Sequence, residues 1–572
     1  MSPLWRNLNH ARTGANWALS FLTTEVRGMQ AAAYILALSS LTSSVLALLR
    51  DRLLAHLFGA GPQLDMYYVA FRIPDAVFIG IGALVSAYML IPEIARRDEE
   101  AQKKYLDTVV VGYSVLVAVV AGGGGGGGGG GAFAAPAILH KFFPLLAAGS
   151  LADLVFLSRI LLLQAVFLGF SNIAAAITQY KHRYTLYAIS PIVYNLGIMF
   201  GALALYPHYG LPGLIWGVVV GAALHFAIQV PSILSDGFFR HLPRFTEARA
   251  FLDTIRLSLP RALALSMNQL AFFGLLALAG SLSVGSISIF MFAYNLQAVP
   301  LSIIGASYAT AAFPTLAYAF SRGESLEYLA QVAIAARQIL FWSLPVIALT
   351  IVLRAHVVRA VLGTGAFDWT DTRLTAAALA LFVVSLAAQG LTLLLLRALY
   401  AAGKTAIPFI VSGVTAALTL TLGVWLLAIF SGEATTNFIE AFLRVQDVPG
   451  AEVLALAIAY SISSLVGASV LSLYFAGHFG QFFFEVGRSW WQALTAALAA
   501  GIASYATLYI IGGLTLSTTF GEIVLKGGGA GLAGCAAAAL TYYALDNREF
   551  AENVAALRKR IWRDVEPVVS AE

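Results

Sequence analysis

The stretch VLALLRDRLLAHLFGAGPQLD, residues 45–65, starts as an apolar helix and then sets Arg50, Asp51 and Arg52 in a row with more leucine behind them. What that run means depends on the solvent around it. At the centre of a bilayer an arginine costs about 2.5–3.5 kcal/mol on insertion scales, so it faces a cavity, a partner or the interface. The rest of the chain puts the stretch in a bilayer. Of 572 residues 59% are hydrophobic and 11% charged, with a mean hydropathy of +0.82, whereas soluble domains carry about 25% charged residues. This is the composition of a polytopic membrane protein. The net charge of +5 is small and dispersed, which excludes a nucleic-acid partner. Cys535 is the sole cysteine, and the nine histidines show no metal-ligand spacing, so neither a metal nor another cofactor is implied. Residues 1–29 lack the continuous apolar core of a signal peptide and read as a cytoplasmic arm.

Working outward, fourteen apolar runs are long enough to span. The first lie at 30–49, 66–92 and 106–138, and the last two at 489–512 and 520–545. Segments that follow even-numbered runs are basic: 95–104, 181–183, Arg240 to Arg256, Arg322, Lys404, Arg488 and the tail LRKRIWR at 557–563. The opposite side is poorer in Lys and Arg, and its longest loop, 431–450, carries Glu433, Glu440 and Asp447. Arg354, Arg359 and Arg373 are exceptions on that side. The positive-inside rule then places both termini in the cytoplasm. A short repeat runs through the chain. Pro92-Glu93-Ile94-Ala95 ends run 2 and Pro314-Thr315-Leu316-Ala317 ends run 8, each before a basic turn. An even separation makes such repeats parallel, as in transporters. Pro92 and Pro314 are either hinges or tolerated kinks.

Two residues on a helix are about 200° apart, so Arg50 and Arg52 do not face one cavity together. Either the run ends the first helix and anchors it at the headgroups, or one arginine faces a wet interior. Arg50-Asp51, Phe58-Gly59-Ala60-Gly61, Asp65 and Val69-Ala70-Phe71-Arg72-Ile73-Pro74 resemble the first-loop signature of the MurJ/MviN family, the lipid II flippases of bacterial cell-wall synthesis. AISPIVYNLGIMFGAL with Pro191 and Asn195, HFAIQVPSIL with Gln229 and Pro231, and RALYAAGKTAIP are similar to later spans of that family. The resemblance covers about residues 30–430.

The resemblance implies an all-α polytopic fold of about fourteen transmembrane helices, two six-helix lobes around a central cavity plus two C-terminal helices. The lobes would be residues 30–235 and 236–480, the groove helices 481–546, and 547–572 a basic cytoplasmic tail. It implies a flippase, not an enzyme, in the bacterial cytoplasmic membrane. The flippase would carry undecaprenyl-pyrophosphate-linked peptidoglycan precursor to the outer leaflet by alternating access, as a monomer among membrane lipids. Arg50 holds the family's position and is expected to attract the headgroup phosphates, with Asp51 its neighbour in a local charge network and Arg52 snorkelling. Asp65 and Arg72, seven apart on one helical face, are expected at the cavity rim. Arg261 and Asn295 are further cavity candidates from the second half, supported by Asn268. Asn268, Gln269, Asn295 and Gln297 also fit plain interhelical hydrogen bonding.

The chain departs from the family at Ser44, Phe78 and Asn295, where arginines are usual, and its eleventh span lacks the acids of a sodium site. A weaker cavity field lowers the occupancy of a doubly charged headgroup. Another lipid-linked glycan, a small-molecule substrate or a non-transporting relative therefore remain alternatives, and a membrane glycosyltransferase fits the sparse outer acids poorly. Gly122 to Gly131 is an unbroken glycine run, each residue costing a helix about 1 kcal/mol relative to alanine, and it has no assigned role.

Overall fold

The computed structural model describes residues 29–82, 85–122, 131–404, 406–430, 432–446, 448–515 and 518–561. Every regular element among them is helical, as hydrocarbon demands of a chain that must satisfy its own backbone groups. Among the described residues nine helices are long and apolar enough to cross a membrane, ten if a pair bent by 43° is one span. Large apolar side chains face outward all along them, Leu196 (48% exposed), Ile502 (69%) and Leu525 (76%) among them. That is the surface of a multi-pass membrane protein, with lipid as its solvent.

By its packing the chain divides into two compact units, one running to Met291 and taking in Thr364–Asp368, the other comprising Phe292–Gly363 and the chain from Trp369. In the first, α1 (Met29–Phe58) runs unbroken through Arg50-Asp51-Arg52, so the charges lie inside the helix and do not end it. The end comes at Gly59, whose φ of 57° is a conformation that glycine takes freely. The expected single span 66–92 is three helices, α2 (Pro62–Ala70), α3 (Arg72–Gly82) and α4 (Ala87–Ala95). After α5 (Glu99–Gly122) and α6 (Gly131–Phe142) comes α7 (Pro144–Tyr180), kinked at Ser150. Positions 123–130 of the glycine run lie outside the described residues, as does the arm up to residue 28. Next are α8 (Tyr184–Phe200), α9 (Tyr206–Tyr209), α10 (Leu211–Ala227), α11 (Val230–Ser235) and α12 (Ala248–Ala279).

The first unit packs α8 on α10 through small residues, as membrane helices do where no hydrophobic force separates them from lipid. A Cβ on Gly217 would fall on the Cα of Gly201, and one on Gly197 on the Cα of Gly221. A Gly217→Val variant is therefore expected to lose most of its monodisperse detergent-extracted protein, because overpacking here costs about 1–3 kcal/mol or more. Gly413→Val, with open space around its Cβ, should extract like the wild type in the same size-exclusion assay. Equal profiles for both variants would show that the two helices do not need this approach.

The second unit takes most of α13 (Ser286–Leu301) and continues with α14 (Ser307–Ser321), α15 (Ser325–Leu362), α16 (Trp369–Val383), α17 (Leu386–Ala401) and α18 (Ala406–Phe430). The expected loop 431–450 is largely a helix, α19 (Glu433–Leu443). Then come α20 (Val453–Phe479), α21 (Phe482–Ile511) and α22 (Phe520–Ala544), and the tail opens with a further helix, α23 (Arg548–Ile561). A π-helical turn at Ser302–Ala306 joins α13 to α14. Pro92 sits inside α4 and Pro314 inside α14, and neither ends its helix. Upstream of Pro92 the backbone is extended at Ser86, whereas upstream of Pro314 the π-helical turn at 302–306 keeps the helix continuous from Ser286 to Ser321.

Candidate functional site

In the first unit α1 presents Ser43 and Arg50, two helical turns apart on one face, to Asn195 of α8. Arg50 Nη1 donates to Asn195 Oδ1 at 3.2 Å, while its Nε and Nη2 donate to Asp51 Oδ1 at 3.0 and 2.8 Å. Asn195 Nδ2 in turn donates to Ser43 Oγ at 3.4 Å and to Pro191 O at 3.0 Å. The Asp51 side chain is 4% exposed and that of Arg50 22%. The pair is thus oriented by the buried carboxylate and the amide, with part of the guanidinium fork left open. An arginine held this way recognises phosphate oxygens by charge-assisted hydrogen bonds without a further loss of rotamer freedom. Arg52 is half-buried.

Asp65, on the first turn of α2, is buried, and both its oxygens are engaged. Oδ2 accepts from Gly285 N at 2.6 Å, and Oδ1 accepts from Ser288 N at 2.8 Å and Ser288 Oγ at 2.6 Å. The carboxylate caps the N-terminus of α13 from a distant part of the chain, where orphan N–H groups and the helix dipole both favour an anion. Gly285 fits this turn because its φ is +89° and a side chain there would strike Ala60 O. Removing the cap in an Asp65→Ala variant strands three donors. It is expected to cost about 2 kcal/mol, read as a fall of several degrees in the unfolding temperature in detergent. Asp65→Asn should lie between the two, and an unchanged temperature for Asp65→Ala would refute the capping role.

Arg72 opens α3 and is also buried. Its Nε donates to Tyr68 O at 3.0 Å, its Nη2 lies 3.3 Å from Asp75 Oδ2, and its guanidinium stands 5.7 Å from the Phe272 ring centre. Asp65 and Arg72 thus lie on two successive helices rather than on one face of a single helix, Asp65 meeting the start of α13 and Arg72 meeting Phe272 of α12. Both are engaged within the protein in this conformation.

The remaining candidates are dispersed. Arg261 lies on α12 with its side chain outside the described residues, Asn268 is exposed on the same helix, and Asn295 is half-buried in the second unit. Gln297 is fully buried, yet neither amide atom finds a partner, which departs from the expected interhelical bonding. Ser44 Oγ bonds back to Ser40 O at 2.9 Å, and Phe78 is half-buried. Sequence reasoning missed Asn195 as Arg50's partner. It also missed Arg397, which donates to Ala306 O at 3.1 Å and to Thr310 Oγ1 at 2.6 Å and so satisfies the π-helical turn. The signal available for each was a polar residue within an apolar span. Among the described residues no three His, Cys, Asp or Glu side chains gather to hold a metal.

Comparison with known proteins bears on what this arrangement serves. The family profile described as lipid II flippase MurJ matches residues 54–523. A lipid II flippase MurJ of Burkholderia cenocepacia is 27% identical over 305 residues, which is 50% of this chain and 57% of that protein. A probable lipid II flippase MurJ of Thermotoga maritima is 27% identical over 398 residues, 68% of this chain and 77% of that one. Among solved structures, a lipid II flippase MurJ in an inward closed conformation superposes with a TM-score of 0.66 at 20% identity, over 90% of this chain and 100% of that one. An inward-facing multidrug resistance transporter of the MATE family and MOP superfamily gives 0.59 at 16% identity, over 76% and 94%. At these identities the structures speak for the fold.

Proposed function

The chain belongs to the lipid II flippase MurJ family, whose profile it matches over residues 54–523, and from that premise we propose that it moves lipid II across the bacterial cytoplasmic membrane. The observation that carries the reading is the Arg50 guanidinium, set within an apolar helix, fixed by Asp51 and Asn195, and still 22% exposed. In this reading Arg50 takes the diphosphate of the lipid and Asn195 holds the fork in place. Asp65 and Arg72 position helices of the same unit, Asp51 and Arg52 flank Arg50 on its helix, and Arg261, Asn268 and Asn295 remain candidates for further polar contacts with the substrate. Residues 30–235 and 236–480 serve as the alternating lobes and 481–546 as the groove helices. The protein acts as a monomer with both termini in the cytoplasm.

The uncharged Ser44 and Phe78 favour a second reading, in which the substrate is another lipid-linked glycan or transport is lost. Complementation separates the two. The gene is expressed in a bacterium whose own lipid II flippase is switched off. Restored growth is the expected result, and failure to grow despite normal amounts in the membrane would overturn lipid II as the cargo.

A further inference from the structure

Arg354 and Arg373 break the charge rule that orients the other segments, and the Arg50 cluster gives them no task. Both wall one cavity in the second unit, of about 730 Å³, together with Arg444, His356, Tyr505 and Tyr509. The cavity lies at the end of the unit where α21 turns into α22, opposite the end from which α23 departs. Arginines in membrane segments pair with other charged groups or with backbone carbonyls, and among the described residues these three meet no carboxylate. Arg354 donates only to backbone, to Ile351 O at 3.0 Å and Leu443 O at 3.4 Å. Arg373 likewise holds Arg444 O at 2.8 Å and Gln446 O at 3.0 Å. The Arg444 side chain, on a left-handed residue that ends α19, makes no hydrogen bond among the described residues. Lys526 adds a fourth cation at this end, its Nζ donating to Gly513 O at 3.3 Å. Among the described residues these four cations meet no carboxylate, and an anion seated between them would offset their mutual repulsion.

A second, independent observation concerns His356. It is 7% exposed, lines the same cavity, and has no partner at either ring nitrogen. Buried polar groups in native structures are nearly always bonded, so an orphan pair beside a cationic cavity marks a place for a ligand acceptor. The aromatic residues give the ligand's setting. Tyr505 and Tyr509 are 56% and 83% exposed, one turn apart on α21. Amphipathic rings of this kind sit at headgroup level.

We propose that this cavity binds the phosphate headgroup of a membrane lipid, with Arg354 and Arg444 on the phosphate oxygens and His356 as a further donor. Arg373 is a positioning residue that fixes the 444–446 turn. The site is separate from Arg50 and does not depend on lipid II being the cargo.

The test uses the full-length protein in detergent, with bound lipid counted by native mass spectrometry. The probes are dioleoylphosphatidic acid, dioleoylphosphatidylcholine and inorganic phosphate. Wild type is expected to retain phosphatidic acid in preference to phosphatidylcholine. The Arg354→Gln/Arg444→Gln variant is expected to bind phosphatidic acid about tenfold more weakly, the loss of charge-assisted hydrogen bonds, while Arg322→Gln leaves it unchanged. Arg444→Gln alone removes no hydrogen bond among the described residues and changes an exposed side chain, so it should keep the fold and still weaken binding severalfold. Equal retention by wild type and Arg444→Gln would overturn the proposal, as would equal binding of the two lipids. Complete displacement of phosphatidic acid by an equal concentration of inorganic phosphate would overturn the lipid headgroup in favour of a free-anion site.

Discussion

An Arg50→Ala variant is expected to reach the membrane in normal amounts and to fail to restore growth where the wild-type chain succeeds. Three donors leave with the guanidinium. Two hold Asp51 and one holds Asn195 Oδ1, and the part still open is what a phosphate would meet. A hydrogen bond to a charged group is worth about 1.5–3 kcal/mol, so losing one phosphate contact lowers headgroup occupancy about ten- to a hundredfold. The loss should be severe here because Ser44 and Phe78 supply no charge to compensate. Arg50→Lys keeps the charge but not the fork, and a single ammonium does not serve Asp51, Asn195 and a phosphate together. Its rescue is expected to be partial. Asn195→Ala frees the fork without discharging it and should slow growth without abolishing it. Full rescue by Arg50→Ala would move the phosphate contact elsewhere in the chain.

These residues also show where sequence was enough and where it was not. Membrane class and an all-helical fold follow from a quantity local in the chain, hydropathy over about 20 residues, and the candidacy of Arg50 from the cost of charge in hydrocarbon. The seven-residue spacing of Asp65 and Arg72 suggested one helical face, but the break at Phe71 puts them on two helices. Their partners were out of reach, because Gly285, Ser288 and Phe272 lie some 200 residues away in the chain and no local rule links such positions. The second span misled for another reason. Residues 66–92 are mostly apolar, and hydropathy is blind to backbone breaks such as those at Phe71 and Ser86. The 431–450 segment read as an acidic loop because its helix α19 is too short and too mixed to span. Its one arginine, Arg444, acquires meaning only beside Arg354 and Arg373.

The second large effect is expected at Arg337, whose partner lies in the segment 547–572 that sequence reading treated as a basic tail. Arg337 lies on α15, and its Nε meets Glu549 Oε1 of α23 at 2.8 Å, with the two side chains 11% and 3% exposed. Ser489 Oγ and Asn547 Nδ2 donate to the same carboxylate at 3.1 Å each, and Asn547 Nδ2 also donates to Gln492 Oε1 at 2.8 Å. One buried pair thus ties α15, α21 and the tail helix together, beside Phe341 stacked on Tyr542 at 4.4 Å. Arg337→Ala leaves Glu549 buried without its cation, and breaking such a pair costs about 3–5 kcal/mol. The consequence should be local before it is global. α23 is held to the rest by this network and by Asn553 Nδ2 donating to Gln338 Oε1 at 3.0 Å, so its amides should exchange hydrogen far faster while α13 and α14 keep their protection. Replacing both members by apolar side chains of similar volume, Arg337→Met with Glu549→Leu, is expected to recover most of the loss. The desolvation of two charges disappears along with their attraction. If instead the double variant is as loosened as the single one, the pair contributes geometry that packing does not reproduce, and Ser489, Gln492 and Asn547 would have to be treated with it as one unit.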